Sequence, residues 1–174
     1  ELTRGYRTYG YLGRPIKLTD ATLAAWAEIL GRDPDSRLLL KSGQHADRAM
    51  RERVLHGLGA LGVNLGRIEV QGVTSRLEHL EAHRDVDVCL DSFPQTGGAT
   101  TMDALLMGVP VVTLAGETAA SRTSASILHT VGNGAGWVTE SVEQYVAAAA
   151  QYKPTTSRTI IRAWLMESPL VKHR

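Results

Sequence analysis

The sequence predicts an α/β fold: a Rossmann-like parallel sheet with helices on both faces. Three observations carry this. Short apolar runs of strand length alternate with amphipathic stretches of helix length, and strands joined through helices must lie parallel. The stretch 91–113, DSFPQTGGATTMDALLMGVPVVT, leaves an apolar strand, turns on paired glycines, starts a helix and enters another strand. The chain has 174 residues, 43% apolar and 21% charged, which suits one globular domain with a full core.

In order, Arg7 to Leu12 reads as a first strand, followed by a loop over 13–17. Thr19 or Asp20 can cap a helix whose face Leu23, Trp26, Ala27 and Leu30 has helical spacing, with Gly31 as its stop. A turn at Pro34, Asp35 and Ser36 leads into a buried strand, Leu38 to Lys41. A second helix spans Asp47 to Leu61, with Met50, Val54, Leu58 and Leu61 inward. Ile68 to Gln71 is a short strand, Leu77 and Leu80 mark a short helix, and Val86 to Leu90 is the next strand. The helix after Gly98 presents Met102, Leu105 and Leu106 on one face; Gly108 ends it, and Val111 to Thr113 is a strand. Ser121 to Val131 is helical, and Gly132, Gly134 and Gly136 break the chain. Trp137 and Val138 start a last short strand. Val142, Tyr145, Val146 and Ala149 line another helix, Lys153 and Pro154 interrupt it, and a final helix runs from Ser157 to Glu167, ended by Ser168-Pro169. Ligands of such sheets bind beyond the carboxyl ends of the strands. The loops at 13–17, 41–45, 72–76, 91–99 and 114–118 share that edge.

Net charge is +1, so bulk attraction to nucleic acid or to an anionic membrane is not expected. No apolar run is long enough to span a bilayer and no signal peptide is visible, which points to a cytoplasmic location. The lone cysteine, Cys89, lies in a strand and reads as a buried inert thiol. The chain begins at Glu1, as a processed form or a piece of a longer polypeptide would.

The stretch with Gly97 and Gly98 is the candidate anion site. The first amides of a helix lack partners within it, the helix dipole is positive there, and glycine lets a phosphate approach the backbone. Thr100 and Thr101 add hydroxyls. The same residues also suit an ordinary turn with a threonine cap, and they match neither a Walker A loop nor GxGxxG. Lys17 and Arg14, on the ligand edge, fit either a pyrophosphate or a solvated surface. Asp103, in the first helical turn, suits the dipole or a ribose. His79 and His83 share a helix face without an evident third metal ligand, and His79 could instead meet a base. Glu117 and Arg122 suit a salt bridge or cap at a loop-to-helix junction.

Several segments, taken in order, resemble the O-GlcNAc transferase family, including its SPINDLY-type members. They are RPIK at 14–17, LAAWAEIL at 23–30, PDSRLLLK at 34–41, DVCLDSFP at 87–94, GGATTMDALLMGVPVVT at 97–113, GETAASR at 116–122 and RAWLMESPL at 162–170. The resemblance covers the C-terminal half of that family's catalytic region. It implies that residues 1–174 form a single donor-nucleotide-binding domain of a longer GT-B enzyme. By that likeness Lys17 is the catalytic lysine that contacts the diphosphate, with Arg14 beside it. Gly98, Ala99 and Thr100 hold the diphosphate, Asp103 meets the ribose, and Thr74, Arg76 and His79 meet the base and ribose. Gly13 stands where Asn is common, Ala99 where Thr is usual and Arg76 where Lys is frequent. Asp103 and GETAASR favour the branch that uses UDP-GlcNAc over the fucosyl-transferring one. The implied reaction is metal-independent transfer to Ser or Thr of a protein. It requires a preceding catalytic half and tetratricopeptide repeats that these residues do not contain. A non-catalytic nucleotide-binding module is the alternative, and a dinucleotide oxidoreductase ranks last for want of its glycine fingerprint.

Overall fold

The computed structural model describes residues 4–132, 136–152 and 158–172. Six strands form one sheet: β1 Thr8–Tyr11, β2 Arg37–Lys41, β3 Ile68–Gln71, β4 Val88–Leu90, β5 Val111–Leu114 and β6 Val138–Thr139. Their order is β3-β2-β1-β4-β5-β6 and every pairing is parallel. The helices are α1 Asp20–Arg32, α2 Arg48–Ala60, α3 Arg76–Glu81, α4 Ala99–Leu106, α5 Ala119–Thr130, α6 Val142–Ala150, α7 Arg158–Glu167 and α8 Pro169–Lys172. This is the expected Rossmann-like architecture.

Strand side chains alternate between two cores. Tyr9, Leu38, Leu40, Val88, Leu90 and Val112 pack on one face with α1, α2 and α6, where Trp26, Ile29, Leu58 and Tyr145 are fully enclosed. Leu39, Cys89 and Val111 face the opposite way, against Ala104 of α4. Leu105, Leu128, Ile161 and Leu165 extend that second layer through α4, α5 and α7. Between β1 and β4 the strand order reverses. The chain leaving β1 turns toward β2, the chain leaving β4 turns toward β5, and the parting loops open a crevice.

Several local expectations are corrected. Gly31 does not stop α1, which runs on to Arg32, where the Asp33 amide still reaches Ile29 O at 3.2 Å. Leu61 falls just past α2 and is 48% exposed, because helical spacing no longer governs it there. Leu106, at the end of α4, is 38% exposed, while its neighbour Leu105 is buried. α5 starts at Ala119, two residues before Ser121, because Thr118 and Ser121 form a reciprocal capping box. Arg122 donates to Gly116 O at 2.9 Å, so Thr118, not a Glu117–Arg122 pair, organises that junction. After Ser168 the chain makes one more helical turn, α8. The expected breaks at Gly134, Lys153 and Pro154, and the start of the last helix at Ser157, lie outside the described residues.

Candidate functional site

The loop 91–98 is held from below by one carboxylate. Asp91 is 5% exposed. Its Oδ1 accepts the amides of Ser92 at 2.9 Å and Gly97 at 2.8 Å, and its Oδ2 accepts the Thr113 hydroxyl at 2.8 Å. Burial pushes its pKa up, and the hydrogen bonds it accepts oppose that rise. Further side chains fix the loop backbone. Thr19 and Thr22 of the α1 start donate to Phe93 O at 3.0 and 2.7 Å, and the Tyr145 hydroxyl donates to Asp91 O at 2.8 Å. From α5, Ser124 donates to Gly97 O at 3.1 Å and pairs with the Thr101 hydroxyl at 2.7 Å. A side chain at position 97 would run into the Thr101 and Thr100 hydroxyls at 2.5 and 2.7 Å, so the close turn requires glycine.

This fixed loop delivers the start of α4 to the crevice. α1, α2, α3, α5 and α6 each have a side chain accepting from an early helical amide. α4 follows Gly98 and has no such cap. Ala99 and Thr100, in its first turn, line a cleft of about 400 Å³ together with Lys17, Arg14, Gly98 and Thr123. The opposite wall is the short turn helix Pro15–Lys17. Arg53 of α2 pins it by donating to Pro15 O at 2.8 Å and Leu18 O at 3.1 Å. Tyr11 spans the cleft floor, donating to Arg14 O at 3.0 Å and approaching Ser92 Oγ at 3.3 Å. Lys17 Nζ rests on Thr96 O at 2.7 Å. Burial lowers its pKa, Asp91 raises it and Arg14 lowers it.

Lys17, Arg14, Gly97, Gly98, Ala99 and Thr100 thus line one cleft. Two of the expected donors are already engaged: the Gly97 amide by Asp91, and the Thr101 hydroxyl, 2% exposed, by Ser124. The remaining four gather one crossover away. Arg76, first in α3, forms a two-pronged pair with Asp103 of α4, NH1 to Oδ2 at 2.7 Å and NH2 to Oδ1 at 2.5 Å. Asp103 is 7% exposed, and Arg76 leans on it from solvent. His79 lies beside them, its pKa lowered by burial and raised by Asp103. Thr74 is exposed and donates to Ser75 O at 3.3 Å. His83 meets His79 edge-on, ring centroids 5.9 Å apart. It is 1% exposed, and burial lowers its pKa to about 4. Among the described residues no group of three or more His, Cys, Asp or Glu is placed to hold a metal. Cys89 is buried and its thiol is pushed up to about 12.

Sequence reasoning missed Asp91, Ser124 and Tyr145 as the residues that position the site. Only Asp91 left a signal, a charge directly after the apolar run VCL.

Residues 8–169 match the family model described as glycosyl transferase family 41. A curated tomato (Solanum lycopersicum) protein, a probable UDP-N-acetylglucosamine–peptide N-acetylglucosaminyltransferase SPINDLY, is 33% identical over 97% of this chain and 19% of its own length. A UDP-N-acetylglucosamine–peptide N-acetylglucosaminyltransferase of Caenorhabditis elegans is 33% identical over 67% of this chain and 10% of its own. This chain therefore spans about a fifth or less of these relatives. Among solved structures, a mutant O-GlcNAc transferase of Thermobaculum terrenum superposes with a TM-score of 0.87 at 32% identity, over 92% of this chain and 32% of that one. WaaG, a lipopolysaccharide glycosyltransferase, shares the fold, with a TM-score of 0.67 at 17% identity over 98% of this chain and 45% of that one. With its sheet order, its crevice and these matches together, the chain belongs to glycosyl transferase family 41.

Proposed function

We propose that this chain is the donor-binding half of an inverting protein O-glycosyltransferase that moves GlcNAc from UDP-GlcNAc to Ser or Thr hydroxyls. One observation carries the reading: the start of α4, which no side chain caps, opens into the same cleft as Lys17 and Arg14. As the sugar bond breaks, charge builds on the departing diphosphate. Oriented amides at Ala99 and Thr100, with the Lys17 ammonium opposite, lower the energy of that charge without a metal ion. Gly98 lets the phosphates close on the backbone. The Arg76, His79, Thr74 and Asp103 group receives the nucleoside, with Asp103 accepting from a ribose hydroxyl once Arg76 swings aside. The names of the relatives support this donor and a peptide acceptor. Turnover requires the preceding catalytic half, so the chain binds donor without transferring sugar. A cytoplasmic site of action goes with this reading.

Calorimetric titration with UDP and GDP tests it. UDP should bind more tightly than GDP, and Lys17→Ala should weaken UDP about 10- to 100-fold, the size of one charge-assisted phosphate contact. Equal UDP affinity in the Lys17→Ala chain would refute the role of that lysine. A non-catalytic nucleotide-binding module is the second reading. Ala99 favours it by offering an amide but no hydroxyl, and so does the existing Arg76–Asp103 pair. UDP binding without sugar transfer to a peptide, by a full-length protein that carries the preceding half, would support it.

A further inference from the structure

Lys41 is the last residue of β2 and its side chain is 2% exposed. It makes no hydrogen bond or ion pair with any described residue. The stem is enclosed, but the ammonium tip is not sealed. The enclosed, unpaired polar atoms among the described residues are the two ring nitrogens of His45 and His83 Nε2, and Lys41 Nζ is not one of them.

Its position says what it faces. Leu39, two residues earlier, packs on the α4 side of the sheet, and strand alternation puts Lys41 on that side too. Its charge is felt on α3. His79, lowered first by burial, and Glu78, lowered first by its bonds to Ser75, are each lowered further by Lys41. The diphosphate cleft lies between the loops after β1 and β4, and Lys41 is not in its lining. It stands one strand further out, between β1 and β3, where Thr74, Arg76 and His79 follow. A nucleotide whose phosphates sit at α4 brings its nucleoside to that end.

The donor and acceptor roles then divide. Asp103 can only accept, which suits ribose hydroxyls; an ammonium can only donate, which suits a ring carbonyl. We propose that Lys41 reads the nucleobase of the donor by donating to the position-4 carbonyl, where cytosine carries an amine, and so selects keto bases such as uracil over amino bases such as cytosine. The exocyclic amine of cytosine would set N–H against N–H, and a polar site that cannot pair with its ligand discriminates strongly. This assignment rests on the donor-site reading above and adds a residue that reading did not use.

The test is calorimetric titration of the full chain, its Lys41→Met variant and its Lys41→Gln variant with UDP, CDP and inorganic pyrophosphate. Methionine fills the same space without charge, and glutamine offers both a donor and an acceptor. The unaltered chain should prefer UDP to CDP by about tenfold or more, and Lys41→Met should lose about tenfold for UDP and little for CDP, a change of one hydrogen-bonded contact. Lys41→Gln should bring the two affinities within about threefold by accepting from cytosine. Pyrophosphate affinity should not move in either variant. An unchanged UDP-to-CDP ratio in both variants overturns the assignment. So does an equal loss for pyrophosphate, which would make Lys41 a phosphate contact. If the unaltered chain binds neither UDP nor pyrophosphate, the donor-site reading itself fails. If it binds both and the Lys41 variants behave as the parent, only the base-reading role fails.

Discussion

Removing the Asp91 side chain tests whether one carboxylate organises the loop 91–98. Asp91→Ala strands three buried donors: the amides of Ser92 and Gly97 and the hydroxyl of Thr113. The hydroxyl can rotate to another acceptor, but the two amides are fixed by the chain. At about 1–3 kcal/mol for each unsatisfied amide the loss is about 2–6 kcal/mol. Deleting a carboxyl whose ionisation burial already opposes returns part of that, so about 3 kcal/mol is expected. Asp91→Asn keeps an oxygen for both amides and turns its NH2 toward Thr113 Oγ1, which can accept. It should cost less than about 1 kcal/mol. Urea unfolding followed by circular dichroism, with the slope m checked for constancy, measures both. UDP affinity should fall for alanine and hold for asparagine. The reasoning is refuted if the two variants differ in stability by less than about 1 kcal/mol, since both lose the charge and only one loses the acceptor.

Two further predictions concern stability. His83 has a folded pKa of about 4 against an ordinary 6.5, so between those values the unfolded chain binds a proton that the native chain refuses. Stability therefore rises with pH across that window and is lost on acidification through it, by about 3 kcal/mol in total. His45, also lowered by burial, acts in the same direction. His83→Gln should flatten the plot of unfolding free energy against pH by up to about 1.4 kcal/mol per pH unit, and an unchanged slope would count against the assignment. Gly108 has φ +73°, and a Cβ there would strike the backbone carbonyl of Arg158. Gly108→Ala should cost more than about 2 kcal/mol in a thermal melt, and a loss below about 0.5 kcal/mol would contradict the geometry.

The strand and helix succession was legible because its periodicities are set by burial, and Tyr9, Leu38, Val88, Val112 and Trp26 are all enclosed. Errors arose where a local rule competed with a contact from elsewhere. Gly31 reads as a stop, yet α1 continues because the Asp33 amide finds Ile29 O. GATT offers two hydroxyls, and only the position of Ser124 on α5 decides that Thr101 turns inward while Thr100 lines the cleft. Helical spacing marks Tyr145 as core and says nothing of its hydroxyl, which accepts a hydrogen bond from Trp26 Nε1–H at 3.0 Å and donates one to Asp91 O. LLLK and VCLD each end an apolar strand on a charge, and such a charge is the trace a site leaves at a strand's carboxyl end.

Tyr11 and Ser92 meet across the cleft although 81 residues separate them along the chain. The two walls are strangers until β1 docks beside β4, a non-local pairing. A bound nucleotide has no foothold before that docking, so it acts as a brake on unravelling and leaves the speed of collapse unchanged. A nick in the bend after α2 would likewise leave each piece with one wall, held to the other by strand pairing, by the α1–α6 core and by bonds such as Thr22 to Phe93 O.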